Sequence, residues 1–277
     1  MAMPKIGYLG PAGTFTGQAA AALLPEGQLI PIGDIDSVFE SVAKGLCDVG
    51  VVPVENSTEG SVNATLDALL REEGMNITAL LTLPVRHALL ALKEAKNAEK
   101  ILAHPQALAQ CRGYIRRHFP KAELVQCASN GEAAIKVAES GKDWAAIGPF
   151  AAAQVYGLCV KAEDIQDVAS NSTSFIQIEK LGIDTVFMPA KSEYRTSIAF
   201  SVENRPGSLY RMLGILESYA INMTKILSRP RPEQPGEYIF FVDIEDYDIE
   251  SAVPALTLIK SKATMYKFLG SYSISKF

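Results

Sequence analysis

Residues 5–16 read KIGYLGPAGTFT and contain a βα unit from which the architecture can be inferred. Lys5–Leu9 is a short β-rich run, the glycines of residues 10–13 favour a turn, and Thr14 or Thr16 is suited to cap a helix. The alternation of strands and helices continues to about residue 180. It predicts an α/β fold with parallel sheets and crossover helices.

Further strands are expected in this region at residues 28–32, 49–54, 77–85, 100–103, 123–127 and 144–147. One helix should follow a cap at Asp34 or Asp36. Another should carry Leu108, Cys111, Ile115 and Phe119 on one face.

The pattern loosens through residues 180–193, which read as a linker. Beyond it we expect strands at 196–202, 223–227, 238–243 and 265–273, with helices at 249–262 and behind a cap at Ser208. This βαββαβ order is ferredoxin-like.

The composition excludes several classes of protein. With 48% hydrophobic and 21% charged residues, the 277-residue chain is neither disordered nor a coiled coil. A net charge of -5 argues against nucleic acid as a partner. No signal peptide is visible and no apolar run approaches about 18 residues, so we expect a cytoplasmic protein with no membrane association. The four cysteines are expected to be reduced.

Four polar clusters follow or precede expected strands, at residues 10–16, 52–61, 104–108 and 171–175. In open α/β sheets ligands bind at that edge. Each cluster alone is equally typical of a capping turn or an ordinary loop. His87, His104 and His118 lack metal-ligand spacing, and neither a nucleotide loop nor a nucleophile elbow is present. We therefore expect no metal, no cofactor and no covalent intermediate.

In this order, the four clusters, the turn of residues 128–130, residues 145–148 and the C-terminal module resemble the prephenate dehydratase family. The resemblance implies a two-lobed catalytic domain of the periplasmic-binding-protein type II kind at residues 1–188 and a regulatory ACT domain at 194–277. It implies conversion of prephenate to phenylpyruvate, with L-phenylalanine as an effector. It also implies a homodimer or homotetramer formed through the ACT domain.

The resemblance carries roles onto individual residues. Thr173 matches the family's key catalytic threonine. Our hypothesis is that Asn171 and Phe175 position it and that Asn56, Ser57 and Gln106 hold polar groups of the substrate. Gly13, Thr14, Ser129 and Asn130 are candidates for binding its two carboxylates. The effector site would comprise Asn204, Pro206, Gly207, Ser208, Leu209, Leu227, Ser228, Arg229 and Pro230.

Three positions depart from the family pattern. Ser174 stands where the family has arginine, Leu227 where it has glutamate, and Ser208 where it has alanine. Non-aromatising prephenate decarboxylase and arogenate dehydratase are neighbouring alternatives. A non-catalytic amino-acid sensor is an alternative of another class, and the C-terminal module could serve dimerisation alone.

Overall fold

The computed structural model describes residues 3–140, 143–180, 194–231, 234, 237–245 and 249–276. The chain divides into two compact units. The first contains Met1–Leu66, Leu81–Gln177 and the last two residues, and the second contains Asp67–Leu80 and Ile178–Ser275. Apart from Lys180, the expected linker lies outside the described residues. The boundaries 1–188 and 194–277 stay a prediction.

The first lobe of the first unit is built on the predicted βα units. Its strands are β1 (Lys5–Leu9), β2 (Gln28–Ile32), β3 (Val49–Asn56) and the short β4 (Gly60–Ser61), and its helices are α1 (Phe15–Leu23) and α2 (Ile35–Ala43). Three further elements belong partly to this lobe and partly to the second unit: α3 (Asn63–Arg71), β5 (Met75–Pro84) and β11 (Ser172–Lys180). The strand order is β5-β11-β3-β1-β2, and β1 pairs in parallel with β2 and β3. β11 therefore lies beside β3, which brings two of the polar clusters together.

The second lobe has its own five-stranded sheet, ordered β10-β6-β9-β7-β8. The strands are β6 (Ala88–Ala91), β7 (Lys100–Ala103), β8 (Glu123–Gln126), β9 (Trp144–Gly148) and β10 (Cys159–Ala162). The helices are α4 (Pro105–Gln110), α5 (Arg112–His118), α6 (Asn130–Ser140) and α7 (Phe150–Tyr156). The chain enters this lobe between β5 and β6 and leaves it between β10 and β11. We call these two crossings the hinge; a hydrogen bond from Val85 N to Asn171 O at 2.9 Å joins them.

One predicted helix is wrong as a continuous element. The apolar stripe from Leu108 to Phe119 is split into α4 and α5 by a break at Cys111. The backbone N–H of Gly113 donates to the Asp167 carboxylate at 2.9 and 3.1 Å instead of continuing the ladder of α4. A tertiary contact thus interrupts a helix that the apolar spacing favours.

The second unit contains β12 (Tyr194–Ser201), α8 (Ser208–Ser218), β13 (Asn222–Pro230), β14 (Tyr238–Glu245), α9 (Ile249–Lys262) and β15 (Met265–Lys276). Its antiparallel sheet runs β13-β14-β12-β15, and β5 follows β15. Both helices contribute to one apolar core with the sheet, whose buried members include Phe200, Met212 and Ile259. The predicted βαββαβ arrangement is confirmed.

The predicted cap at Ser208 is wrong. Gly207 is the N-cap of α8, with a left-handed φ of 77° that favours glycine, and Ser208 is the first helical residue. The Ser208 hydroxyl instead accepts a hydrogen bond from Arg211 Nη2 at 3.0 Å.

Candidate active site

Two of the predicted polar clusters are joined by hydrogen bonds at the end of β3 and the start of β11. Ser57 N donates to Ser172 O at 2.9 Å, and Ser172 N donates back to Ser57 Oγ at 3.0 Å. This pairing holds together segments that are more than one hundred residues apart in sequence. The backbone N–H and the hydroxyl of Ser57 therefore both hold the two segments together.

Asn56 and Thr173 face each other across this junction. Asn56 Nδ2 donates to Thr173 Oγ1 at 2.8 Å. The amide is held in this orientation because its Oδ1 accepts from Thr58 N at 3.0 Å and from Thr58 Oγ1 at 2.6 Å. Within the described part of the chain, the Thr173 hydroxyl hydrogen has no recorded acceptor. It is therefore available to a bound molecule.

Asn171 lies beside this pair and is 4% exposed. Its Oδ1 accepts from Ser57 Oγ at 3.1 Å and lies 3.3 Å from Thr58 Oγ1, whose hydrogen is directed mainly to Asn56. Its Nδ2 is buried and has no hydrogen-bond partner among the described residues. Buried amides are rarely left unsatisfied, so this donor is a candidate for a contact with a bound group.

Phe175 and Ser174 lie on opposite faces of β11. Phe175 is 2% exposed and packs in the core of the first lobe with Ile6 and Tyr8. Its contribution to the position of Thr173 is therefore through core packing. The Ser174 hydroxyl forms a 2.9 Å hydrogen bond with Thr82 Oγ1 on β5. The position that departs from the family's arginine is thus engaged with the neighbouring strand.

The residues predicted to bind carboxylates are found at helix starts. Thr14 is the N-cap of α1, with its Oγ1 accepting from Gly17 N at 3.3 Å. Ser129 Oγ accepts from Glu132 N at 3.0 Å in the first turn of α6. Asn130 Oδ1 accepts from His104 N at 2.9 Å. The side-chain oxygens of these three residues already accept hydrogen bonds within the protein. An anion at these helix starts would therefore be bound by backbone N–H groups.

The loop before α1 touches the second lobe. Tyr156 Oη donates to Ala12 O at 2.7 Å. A Cβ atom built on Gly131 would lie 2.5 Å from Pro11 Cγ, and one on Gly13 would lie 2.9 Å from Ala152 Cα. The two glycines allow a backbone approach that larger residues would prevent. The structure therefore brings Gly13 of one lobe close to the helix starts of the other.

Gln106 is half-buried in the first turn of α4, where its N–H donates to His104 Nδ1 at 3.3 Å. No hydrogen bond recorded among the described residues connects its side chain to Thr173, Asn171 or Asn56. The structure places Gln106 close along the chain to His104, which contacts Asn130, and does not join it to the Thr173 cluster.

His87 was not among the predicted site residues. It lies in the first hinge crossing, is 3% exposed, and has its ring 5.6 Å from that of Phe15 in an edge-on arrangement. Nε2 lies 2.9 Å from Gln110 Oε1, while Nδ1 is buried without a partner among the described residues. Burial lowers the pKa of His87 below its usual value, which favours the neutral ring. The sequence gives no local signal for this role, because His87 follows Arg86 at the start of an apolar run and its ring partners come from distant segments.

The two predicted effector segments lie at the same end of the second unit's sheet, one on β13 and one after β12, two strands that are separated by β14. Arg229 pairs with Ile239, which pairs in turn with Ser201. The last residues of β13 therefore lie at the same end of the sheet as the loop of Asn204, Pro206 and Gly207. Ser208 and Leu209 are half-buried at the start of α8. On β13, Leu227 and Arg229 are half-buried and alternate with the exposed Ser228 and Pro230. The Arg229 guanidinium forms an ion pair with Asp67.

Over the residues the structure describes, no group of three or more His, Cys, Asp or Glu could hold a metal ion. None of the described helices is long and apolar enough to cross a membrane. Cys47, Cys111 and Cys127 are buried free thiols, and burial raises the pKa of Cys111 to about 12.

The sequence model of the family described as prephenate dehydratase matches residues 6–182. This chain belongs to the prephenate dehydratase family. A second model, described as the ACT domain, matches residues 196–253. Together with the structural neighbour described below, these matches confirm the predicted combination of a two-lobed, periplasmic-binding-protein-like catalytic fold and an ACT domain.

Individual relatives cover nearly all of the chain. The bifunctional chorismate mutase/prephenate dehydratase of Aquifex aeolicus is 38% identical over 271 residues, which cover 97% of this chain and 73% of the relative. The prephenate dehydratase of Lactococcus lactis subsp. cremoris is 35% identical over 277 residues, covering 98% of each. The solved structure of a prephenate dehydratase from Arthrobacter aurescens, in complex with L-Phe, is 31% identical with a TM-score of 0.87, covering 97% of this chain and 90% of that one.

Proposed function

We propose that this chain is a lyase that converts prephenate to phenylpyruvate, carbon dioxide and water, with Thr173 as the catalytic donor. The observation that carries the proposal is the Asn56–Thr173 hydrogen bond in a chain of this family. Because Thr173 Oγ1 already accepts from the Asn56 amide, the hydroxyl hydrogen is directed toward a different acceptor. The departing hydroxyl of the substrate is the acceptor that the reaction requires.

The reaction needs little assistance from the protein. The bond between the ring and its carboxylate carbon breaks, and its electron pair completes the aromatic ring as carbon dioxide leaves. The carbon–oxygen bond at the opposite ring position breaks, and the oxygen departs with its electron pair and takes up a proton from solvent to become water. A threonine hydroxyl is a weak acid, so we assign to Thr173 a hydrogen bond that strengthens as negative charge develops on that oxygen. One such donor contributes roughly 3–4 kcal/mol.

The remaining polar residues would bind the substrate. Asn171 presents its buried, unpartnered Nδ2, while Ser57 holds the junction together. The half-buried Gln106 would contribute its amide from the second lobe. The loop at Gly13 and Thr14, and the helix start at Ser129 and Asn130, supply backbone donors for the carboxylates. Contact between the lobes excludes water, which favours loss of the ring carboxylate as neutral carbon dioxide.

We further propose that L-phenylalanine is a feedback effector bound by the ACT domain. The Arthrobacter relative was solved in complex with L-Phe. In this chain, the loop containing Gly207 and the end of β13 containing Arg229 are at one edge of the sheet, as one composite site requires. Association of ACT domains into a homodimer or homotetramer is part of this proposal.

A product assay tests the catalytic proposal. Purified protein is incubated separately with prephenate and with arogenate, and the products are identified by mass spectrometry. Phenylpyruvate from prephenate is the expected result. A non-aromatic keto acid would identify a decarboxylase, conversion of arogenate alone would identify an arogenate dehydratase, and no product from either would leave the sensor alternative.

Thr173→Ala should reduce kcat by about two orders of magnitude with little change in substrate binding, because the donor acts mainly in the transition state. Ser174→Ala is the matched control, since it removes a hydroxyl one residue away that is bonded to Thr82 on the opposite face. A kcat for Thr173→Ala close to those of Ser174→Ala and the wild type would show that Thr173 is not the catalytic donor.

A further inference from the structure

The hinge between the lobes contains two buried polar atoms that lack partners among the described residues. One is His87 Nδ1, in the first crossing, and the other is Asn171 Nδ2, at the end of the second. The crossings are bonded to each other through Val85 N and Asn171 O at 2.9 Å. Two such atoms in one hinge are unusual, because buried polar groups are nearly always hydrogen-bonded.

His87 is held from both lobes. Its ring packs in a T-shaped arrangement against Phe15, the first residue of α1, and its Nε2 contacts Gln110, the last residue of α4. Its backbone is also fixed, since His87 N donates to Gln166 Oε1 at 2.8 Å and His87 O accepts from Ile165 N at 3.0 Å. A ring fixed this firmly presents Nδ1 in one direction.

The two unpartnered atoms are complementary to a hydroxyl group. With Gln110 Oε1 as the acceptor, Nε2 carries the ring proton and Nδ1 of the neutral ring is a hydrogen-bond acceptor. Asn171 Nδ2 is a donor. A hydroxyl group can satisfy both, because it donates one hydrogen bond and accepts others, whereas a carboxylate has no proton to offer to Nδ1.

We propose that His87 is a further substrate-binding residue, which together with Asn171 forms a hinge subsite for the hydroxyl of the substrate. This inference rests on the proposed function and specifies which group of the substrate this part of the cleft recognises. His87 Nδ1 accepts the hydroxyl hydrogen, which turns the oxygen lone pairs toward the donors on Asn171 and Thr173. The leaving oxygen is then oriented before the carbon–oxygen bond breaks.

Two substitutions separate this role from a structural one. His87→Asn keeps a polar atom near the position of Nδ1 but loses contact with Gln110. His87→Gln can keep a polar atom near Nε2, and so the contact with Gln110, but places nothing at Nδ1. For each variant, kcat and KM for prephenate and the melting temperature are measured.

If Nδ1 binds the substrate, His87→Gln should lose about tenfold in kcat/KM with a melting temperature near that of the wild type, because a hydrogen bond to substrate is lost. His87→Asn should retain most of kcat/KM even if it melts earlier. The reverse ranking, or unchanged kcat/KM in His87→Gln, would overturn the subsite and leave His87 as a link to Gln110. A wild-type protein that does not turn over prephenate would instead overturn the proposed function.

Discussion

Asn56 uses the two ends of its amide for different purposes. Oδ1 accepts from the turn at Thr58, which fixes the loop, and Nδ2 donates to Thr173. An aspartate at this position would keep the first contact and reverse the second, since a carboxylate accepts hydrogen bonds and cannot donate them. The Thr173 hydrogen would then turn toward residue 56 and away from the substrate.

Asn56→Asp should therefore reduce kcat by about 100-fold, close to the loss expected for Thr173→Ala. Since both changes remove the same hydrogen bond to substrate, the double variant should lose no more than about threefold beyond either single variant. The measurement is a double-mutant cycle on kcat. Fully multiplicative losses would show that Asn56 acts independently of Thr173.

Several single-residue assignments could be made from the sequence because they depend on local chemistry. Asp34 and Thr14 cap their helices, as the residue types favour. His87 could not be assigned, because its importance depends on Phe15, Gln110 and Asn171, which no local pattern connects to it.

Helix α6 begins where the two lobes touch. Gly131 lies in its first turn, fully covered, with Pro11 of the other lobe at a distance that leaves no space for a side chain. Gly214 in α8 is also helical, but an added Cβ there would have nothing within 4 Å among the described residues. The two helical glycines differ in what surrounds them.

Gly131→Ala should raise KM for prephenate at least tenfold, because the added methyl group separates the lobes while improving helix propensity by roughly 1 kcal/mol. Gly214→Ala should raise the melting temperature and leave KM unchanged. Steady-state kinetics and thermal denaturation of both variants test this expectation. An unchanged KM in Gly131→Ala would show that the contact does not affect substrate binding.

The sequence predicts some strands and misses others. The bounds of β1, β2 and β7 match the prediction because β-rich runs end at clear turn signals. β6 and β10 were not anticipated: β6 is four small or apolar residues without alternation, and β10 pairs with it irregularly. The break at Cys111 depends on Asp167, which is distant in sequence.

If L-phenylalanine binds the folded protein, it should stabilise the whole molecule against unfolding. L-phenylalanine at about 100 times its Kd should add about 2.7 kcal/mol to the free energy of unfolding, and should lower turnover if it prefers one lobe arrangement. Arg229→Ala should abolish the melting-temperature shift, whereas Asp67→Ala, which removes only the partner of the ion pair, should retain it. Activity and melting temperature are measured with and without L-phenylalanine.

Loss of the shift in both variants would mean that the ion pair itself is what matters. If L-phenylalanine changes neither activity nor melting temperature in the wild type, the ACT domain serves association alone. Sequence motifs indicated the effector segments individually. Their common position at one edge follows from strand register, which residue types alone do not fix.

The second unit also includes Asp67–Leu80, a stretch from the middle of the catalytic half of the gene. Lys267 Nζ donates to the carbonyls of Leu70 and Glu72 at 2.9 and 2.8 Å, and β15 lies next to β5. Recombination that exchanges only the region after residue 193 would therefore separate β15 from the chain segment it packs against. The ACT region is one continuous stretch of sequence, but the compact unit that contains it also includes residues 67–80. A functional chimera would therefore have to carry residues 67–80 with it.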